Sequence, residues 1–238
     1  MATTTLRGHV ARAMDFFERT SSDVYFCLAQ STAWPDEANP PAPDSNASTV
    51  HSIVGFKKVQ TAYMVIPDSV NGTISYRDNT WRVVPESIAG SVNAVANIGS
   101  TEIHLLSVLG WSNGSLISDS VNTYTVSNVD SVNNVITTST PLVSALAIGS
   151  IVTGGALLEG ARWVYIGAYA RYDELPLVGY RVLAVFSRLI KEQSVASNKV
   201  ALLPADVLDV GILEVLDNRK VINRALDQQE MLSVVIEF

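Results

Sequence analysis

From Val83 to Ala161 the chain carries no lysine or arginine. Of its 16 basic residues, seven lie at or before Arg82 and nine at or after Arg162. Within the gap, residues 97–140 are dominated by Ser, Thr, Asn and Val. So sharp a change of composition marks an inserted module rather than a continuation of the same sheet. The expected organisation is a discontinuous β-rich outer domain, residues 1–90 plus 159–238, around a Ser/Thr/Asn-rich β insertion, residues 91–158. No repeat with a period of roughly 20–50 residues is read from the sequence.

Apolar residues make up 47% and charged residues 16%, which supports a sizeable core and rules out bulk disorder. The net charge of −7 argues against a nucleic-acid partner, which needs a basic patch to neutralise phosphates. A single cysteine, Cys27, leaves no intramolecular disulfide to form. The opening run MATTTLRGHVARAMDFFERT has no apolar core segment, so no signal peptide is expected. The mean hydropathy is positive, yet the most apolar stretch, Leu142 to Leu158, is broken by glycine, serine and threonine, so no membrane insertion is expected.

Leu6, Val10, Met14 and Phe17 fall on one helical face, which predicts a short helix over 6–18. Residues 23–31 read as a strand. Thr32 to Pro43 holds four prolines and reads as an extended loop that cannot enter a central strand. One strand is expected over 55–67. Hairpins are expected at 73–84, turning at Arg77 to Thr80, and at 123–138. Further strands are predicted at 163–172, 180–189, 211–216, 221–224 and 231–238. The fold class is therefore mainly β: an antiparallel sheet or sandwich outer domain, a small inserted β module and few short helices.

Chemistry-bearing patterns are sparse. His9, His51 and His104 are scattered, with no partner at a metal-ligand spacing. No nucleophile elbow or phosphate-binding glycine loop is present. The adjacent carboxylates Asp36-Glu37 and Asp173-Glu174 could feed a hydrolase that cuts polysaccharide or cell wall, but such an enzyme needs two carboxyls facing across a cleft. No catalytic residue, metal or cofactor is expected. The insertion has two readings. One is a receptor- or glycan-binding module using Trp111 and Tyr124, as in a tail-fibre protein. The other is a small barrel or sandwich whose polar residues face water.

Three segments together resemble a known family. The first runs from Val24 through Trp34-Pro35-Asp36-Glu37 to Asn39-Pro40-Pro41-Ala42-Pro43. The second runs from Trp163-Val164-Tyr165-Ile166 through Tyr172-Asp173-Glu174-Leu175-Pro176 to Tyr180-Arg181. The third runs from Gly211 through Asp217-Asn218-Arg219 to Arg224, followed by Asp227-Gln228-Gln229-Glu230 and a terminal strand. This order is similar to that of the baseplate wedge subunits of contractile-tailed, T-even-like bacteriophages. The resemblance covers the outer domain and leaves residues 90–158 unmatched.

The resemblance implies a structural, non-enzymatic subunit of the virion's tail baseplate, assembled in the host cytoplasm. It implies other wedge subunits as partners, and a homodimer. The interface candidates are Trp34, Pro35, Pro40, Pro41, Asp173, Glu174, Arg219 and Arg224. Trp34 in a Pro-rich loop is a rigid side chain of low conformational entropy, equally suited to anchor an interface or plug a core. Arg219 and Arg224 can pair with carboxylates on a neighbour or inside a turn over 217–228.

Overall fold

The first element is the expected helix. A computed structural model describes residues 3–29 and 32–238, and in it α1 spans Leu6–Arg19. The buried stripe is Val10, as predicted, with Ala13 and Phe16 where Met14 and Phe17 were expected; those two are half-buried and Leu6 is exposed. The hydroxyls of Thr20, Ser21 and Ser22 donate back to the carbonyls of Phe17, Glu18 and Arg19, which competes with a further turn and ends the helix.

The remainder is mainly β, with 42% of residues in strands against 9% in helices. In chain order come β1 (Tyr25–Ala29), β2 (Ile53–Lys58), β3 (Thr61–Pro67), β4 (Ile74–Tyr76), β5 (Asn79–Val83) and β6 (Ile88–Ser91). Next are β7 (Glu102–His104), β8 (Leu116–Ser118), β9 (Thr123–Asp130), β10 (Val135–Thr138), β11 (Ile151–Gly154) and the one-turn helix α2 (Ala156–Glu159). Then follow β12 (Trp163–Ala170), β13 (Tyr180–Ser187), β14 (Ile190–Lys191), β15 (Ala201–Leu202), β16 (Val207–Asp209), β17 (Ile212–Ile222) and β18 (Glu230–Glu237).

The chain forms two compact units. One comprises Met1–Met14, Tyr63–Val164 and Glu237–Phe238, the other Asp15–Ala62 and Tyr165–Ile236. In the second unit an antiparallel sheet runs in the order β15-β2-β1-β13-β17. Every residue of β1 is buried, as a central strand covered on both faces requires. Tyr25, Cys27 and Ala29 share one face with Phe56, Ala184 and Phe186. The Phe56 and Phe186 rings meet edge-on with centroids 6.0 Å apart.

Two predicted boundaries change here. The single strand expected over 55–67 breaks after Lys58. Gln60 donates its N–H to the Gly167 carbonyl, and its side-chain oxygen accepts from the Tyr169 N–H, so the chain is redirected. Conversely, the strands expected at 211–216 and 221–224 are one eleven-residue strand, β17, bulged where it meets β13. Asp217, Asn218 and Arg219 therefore stand within a strand rather than in a turn.

In the first unit β3, β5 and β4 are neighbours, with Arg77 in left-handed backbone at the expected hairpin turn. The sheet β6-β11-β8-β9-β10-β7 fills residues 88–154. Its two ends are bridged at Val92↔Leu105, where Asn93 N–H donates to the His104 carbonyl and Leu106 N–H to the Ser91 carbonyl, each 2.9 Å. The sheet is thus a small closed barrel. Its interior holds Ile103, Leu105, Ile117, Val126, Ile136 and Val152, and also Trp111 and Tyr124. Both aromatic residues proposed for a glycan platform are buried, so neither is available as an exposed stacking surface.

The barrel contains a duplication that the sequence reading missed. Residues 92–100 and 142–150 form an antiparallel ribbon about a local two-fold axis through the Ala96↔Leu146 bridge. Gly99 N–H donates to the Leu142 carbonyl, and Gly149 N–H, fifty residues on, to the Val92 carbonyl. Leu142 N–H donates to Ser100, and Val92 N–H to Ser150. Gly99 and Gly149 have φ of 85° and 84°, where a side chain is strained. The pairing of β10 with β7 repeats that of β6 with β11. A second recurrence is the turn Asp-Ser-Val-Asn at 68–71, 119–122 and 130–133. In each, one aspartate oxygen accepts from the next two N–H groups but one, and the other from the asparagine amide.

Candidate functional site

The first and third marker segments meet on β17 in the second unit. Trp34 is half-buried against the core of that unit, and its indole N–H donates to the Arg219 carbonyl at 2.8 Å. Glu37 closes the loop. One of its oxygens accepts from the Trp34 N–H at 3.2 Å and from Arg181 Nε at 2.8 Å. Asn218 reaches back and donates to the Pro41 carbonyl at 3.1 Å. Asp36 accepts from the Asn39 amide and the Ala38 N–H, which hold its carboxyl below the ordinary value. A proline-rich loop without internal ladder bonds is thereby tied to distant parts of the sequence through Trp34, Glu37 and Pro41. Pro35 and Pro41 remain exposed on its crest, and Pro40 is half-buried.

The second and third segments meet through Arg224. Its guanidinium donates to the carbonyls of Leu175 (2.7 Å), Pro176 (3.0 Å) and Arg171 (2.6 Å). A fork aimed at three carbonyls wraps the 171–176 loop, and the same guanidinium lies 4.0 Å from the Glu230 carboxylate, a pairing of the expected kind. Arg219 also pairs with a carboxylate, at 2.9 Å from Asp217 two residues away. From the other side, Lys57, fully buried on β2, holds Glu174 at 2.6 and 2.7 Å. Glu174 also accepts from the Arg171 N–H at 2.9 Å. Asp173 is exposed and lies 3.5 Å from Arg171.

The eight sequence-selected residues therefore fall into two loops and the strand that carries them. Trp34, Pro35, Pro40 and Pro41 form one loop, Asp173 and Glu174 the other, and β17 with its continuation supplies Arg219 and Arg224. Sequence reasoning missed Lys57, Glu37 and Arg181, which complete the arrangement. A lysine inside an apolar strand pattern was the available signal, since a buried amine requires a carboxylate. Among the described residues, no three or more of His, Cys, Asp and Glu gather as metal ligands, and no helix is long and apolar enough to cross a membrane.

In the first unit the polar cluster is of another kind. Arg82 is buried between Asp68, at 3.2 Å, and Glu159, and also reaches Ser115 at 3.3 Å. On the barrel, burial works against the Asp119 carboxylate, but Ser144, the N–H groups of Asn122 and Val121 and the Asn122 amide donate to it and hold it at about 2.

Fold and site together define a mainly antiparallel β protein that spends its distinctive side chains fixing surface loops. The family described as baseplate wedge 3 tail fiber network component matches residues 1–103 and 123–238, and the chain belongs to that family. The match takes in most of the insertion that the sequence resemblance left out; only 104–122, running from the end of β7 into the β8–β9 turn, lies outside it. Among curated proteins the chain is similar to Virion protein 3 of Enterococcus phage phiEF24C. The two are 23% identical over 232 residues, covering 95% of this chain and 90% of the relative. The family is one of phage virion baseplate components.

Proposed function

We propose that this chain is a structural subunit of a contractile-tail baseplate wedge, which forms a homodimer and assembles with other wedge proteins. It acts by contact rather than by bond chemistry, reaches the virion through assembly in the host cytoplasm, and has no nucleic-acid or membrane partner. The family match across nearly the whole chain carries this reading. The two fixed loops support it. Pro35, Pro41 and Asp173 are held out by Trp34, Glu174, Arg219 and Arg224, so docking costs little conformational entropy. Residues 91–158 serve as a module carried by the domain formed from 1–90 and 159–238. Contraction changes the packing of wedges, so these contacts switch between two arrangements rather than hold one.

Electron microscopy of source particles labelled with antibody to this chain tests the reading. Label at the base of the tail in extended and contracted particles is expected. Label at fibre tips, or on no particle, overturns it. Cross-links from the 34–41 and 171–176 loops that differ between the two tail states would support the switching contact, and identical cross-links would remove it.

A further inference from the structure

Every residue of the barrel's apolar core lies between Ile88 and Val152, and among the described residues none comes from β3, β4 or β5 of the same unit. The chain enters and leaves the barrel through a narrow neck. There β6 pairs with β11, and the Ala156 N–H donates to the carbonyls of Pro85 (2.9 Å) and Glu86 (3.2 Å). Beside this neck sits Arg82, 3% exposed, and it joins β5 to three separate pieces of chain. Asp68, at 3.2 Å, comes from the turn after β3, Ser115, at 3.3 Å, from the barrel loop before β8, and Glu159 from α2 just past the neck. The barrel is seated on the cluster by bare backbone. Gly114 has φ of 83°, and a Cβ there would lie 2.8 Å from the Asn71 amide nitrogen, 3.0 Å from an Asp68 oxygen and 3.1 Å from Arg82 Nε.

We infer that Arg82 is a latch that fixes the orientation of the barrel on β3, β4 and β5, and that opening it lets the barrel swing on its neck while staying folded. An apolar contact is non-directional and tolerates sliding, whereas a guanidinium bonded along several directions at once admits one arrangement. The composition of the cluster fits orientation better than stability. Two carboxylates face one guanidinium, and the second Glu159 oxygen is buried without a hydrogen bond. Both features cost free energy that an apolar junction would not, and the best-attested use of such buried ionic groups is to set register or to switch. The barrel, for its part, needs nothing from the cluster to close, since its sheet is bridged within itself and its core is its own.

The test is a distance distribution measured by double electron–electron resonance on the full chain. Spin labels are placed at Asp78→Cys in the β4–β5 turn and Val132→Cys in the barrel's β9–β10 turn, both exposed, while Cys27 is fully buried and escapes labelling. With the latch intact a single narrow distance is expected. Arg82→Gln/Glu159→Gln should at least roughly double the width of the distribution, with hydrogen exchange of the β6–β11 amides unchanged. An unchanged width, or a distribution already as broad with the latch intact, overturns the latch. Loss of protection in the barrel strands also overturns it, because the cluster would then hold the barrel's fold and not its orientation. Should the double variant fail to fold, Gly114→Ala decides. It keeps every charge and wedges the seat, so a shifted or broadened distance is expected, and an unchanged one overturns the assignment.

Discussion

The barrel of the first unit and the loop-bearing sheet of the second solve opposite problems. The barrel is closed and nearly free of charge. Backbone bonds and an apolar interior hold it, and two of its turns, 119–122 and 130–133, use the same tetrapeptide. The sheet ends in an open strand, β17, and its loops are fixed by side chains from distant parts of the sequence: Arg181 to Glu37, Lys57 to Glu174, Arg224 to three carbonyls. Both units have an apolar core, but in the second charge pairs and charge-assisted hydrogen bonds are added to it to fix the loops.

The largest effect should come from breaking a charge pair. Glu174→Ala leaves Lys57 buried and unpaired, and a loss of roughly 3–5 kcal/mol is expected in denaturant unfolding. Lys57→Met in the same chain should recover much of it, because removing both charges also removes the desolvation cost. If the single variant is silent, the sheet does not depend on pairing.

In the barrel, Leu105→Ala should cost about 3 kcal/mol, since Leu105 is fully buried against Gly90 and a cavity would remain. By contrast, raising the salt concentration should leave the unfolding of the barrel almost unmoved, because its interior holds no ion pair among the described residues.

Asp119 provides a smaller and pH-dependent effect. Its folded value of about 2 lies below its ordinary 3.8, so its contribution is present above about pH 4 and lost as the pH falls toward 2. Unfolding midpoints compared at pH 5 and pH 2 should differ less in Asp119→Asn than in wild type. At pH 5 the variant itself should lose about 1–2 kcal/mol from weakened bonds to Ser144 and the turn. An equal pH response in both proteins would assign acid sensitivity to other carboxylates.

Trp34→Phe should have the smallest effect. It keeps the ring against the core and deletes the bond to the Arg219 carbonyl, for about 1 kcal/mol. Hydrogen exchange of residues 32–43 should rise while that of the barrel stays constant. Protection unchanged in the loop would mean that Glu37 and Asn218 suffice to hold it.

Much of this contrast was readable in the residues. The helix, both hairpins and the long strands carry clear periodicity, and the Trp-Pro loop and the Asp217–Arg219 segment are the right pieces of the loop-bearing face. What escaped had weak local signal. β6 is Ile-Ala-Gly-Ser, and β7, β8 and β11 hold three or four residues each, so closure of the barrel rather than propensity makes them strands. The ribbon duplication is marked only by Ile-Gly-Ser at 98–100 and 148–150, and the turns by three copies of Asp-Ser-Val-Asn, recurrences too short and uneven to register as a regular period. The partners of Lys57 and Arg181 lie 117 and 144 residues away, a pairing no local pattern encodes.

Closure of the barrel also bears on how newly made copies of the chain stay apart. A sheet bridged at Val92↔Leu105 presents no row of free amides and carbonyls, so its backbone cannot template fibrous stacking of newly made chains. Whatever gathers on its greasy exterior must do so through side chains, whose contacts dissociate and can be corrected.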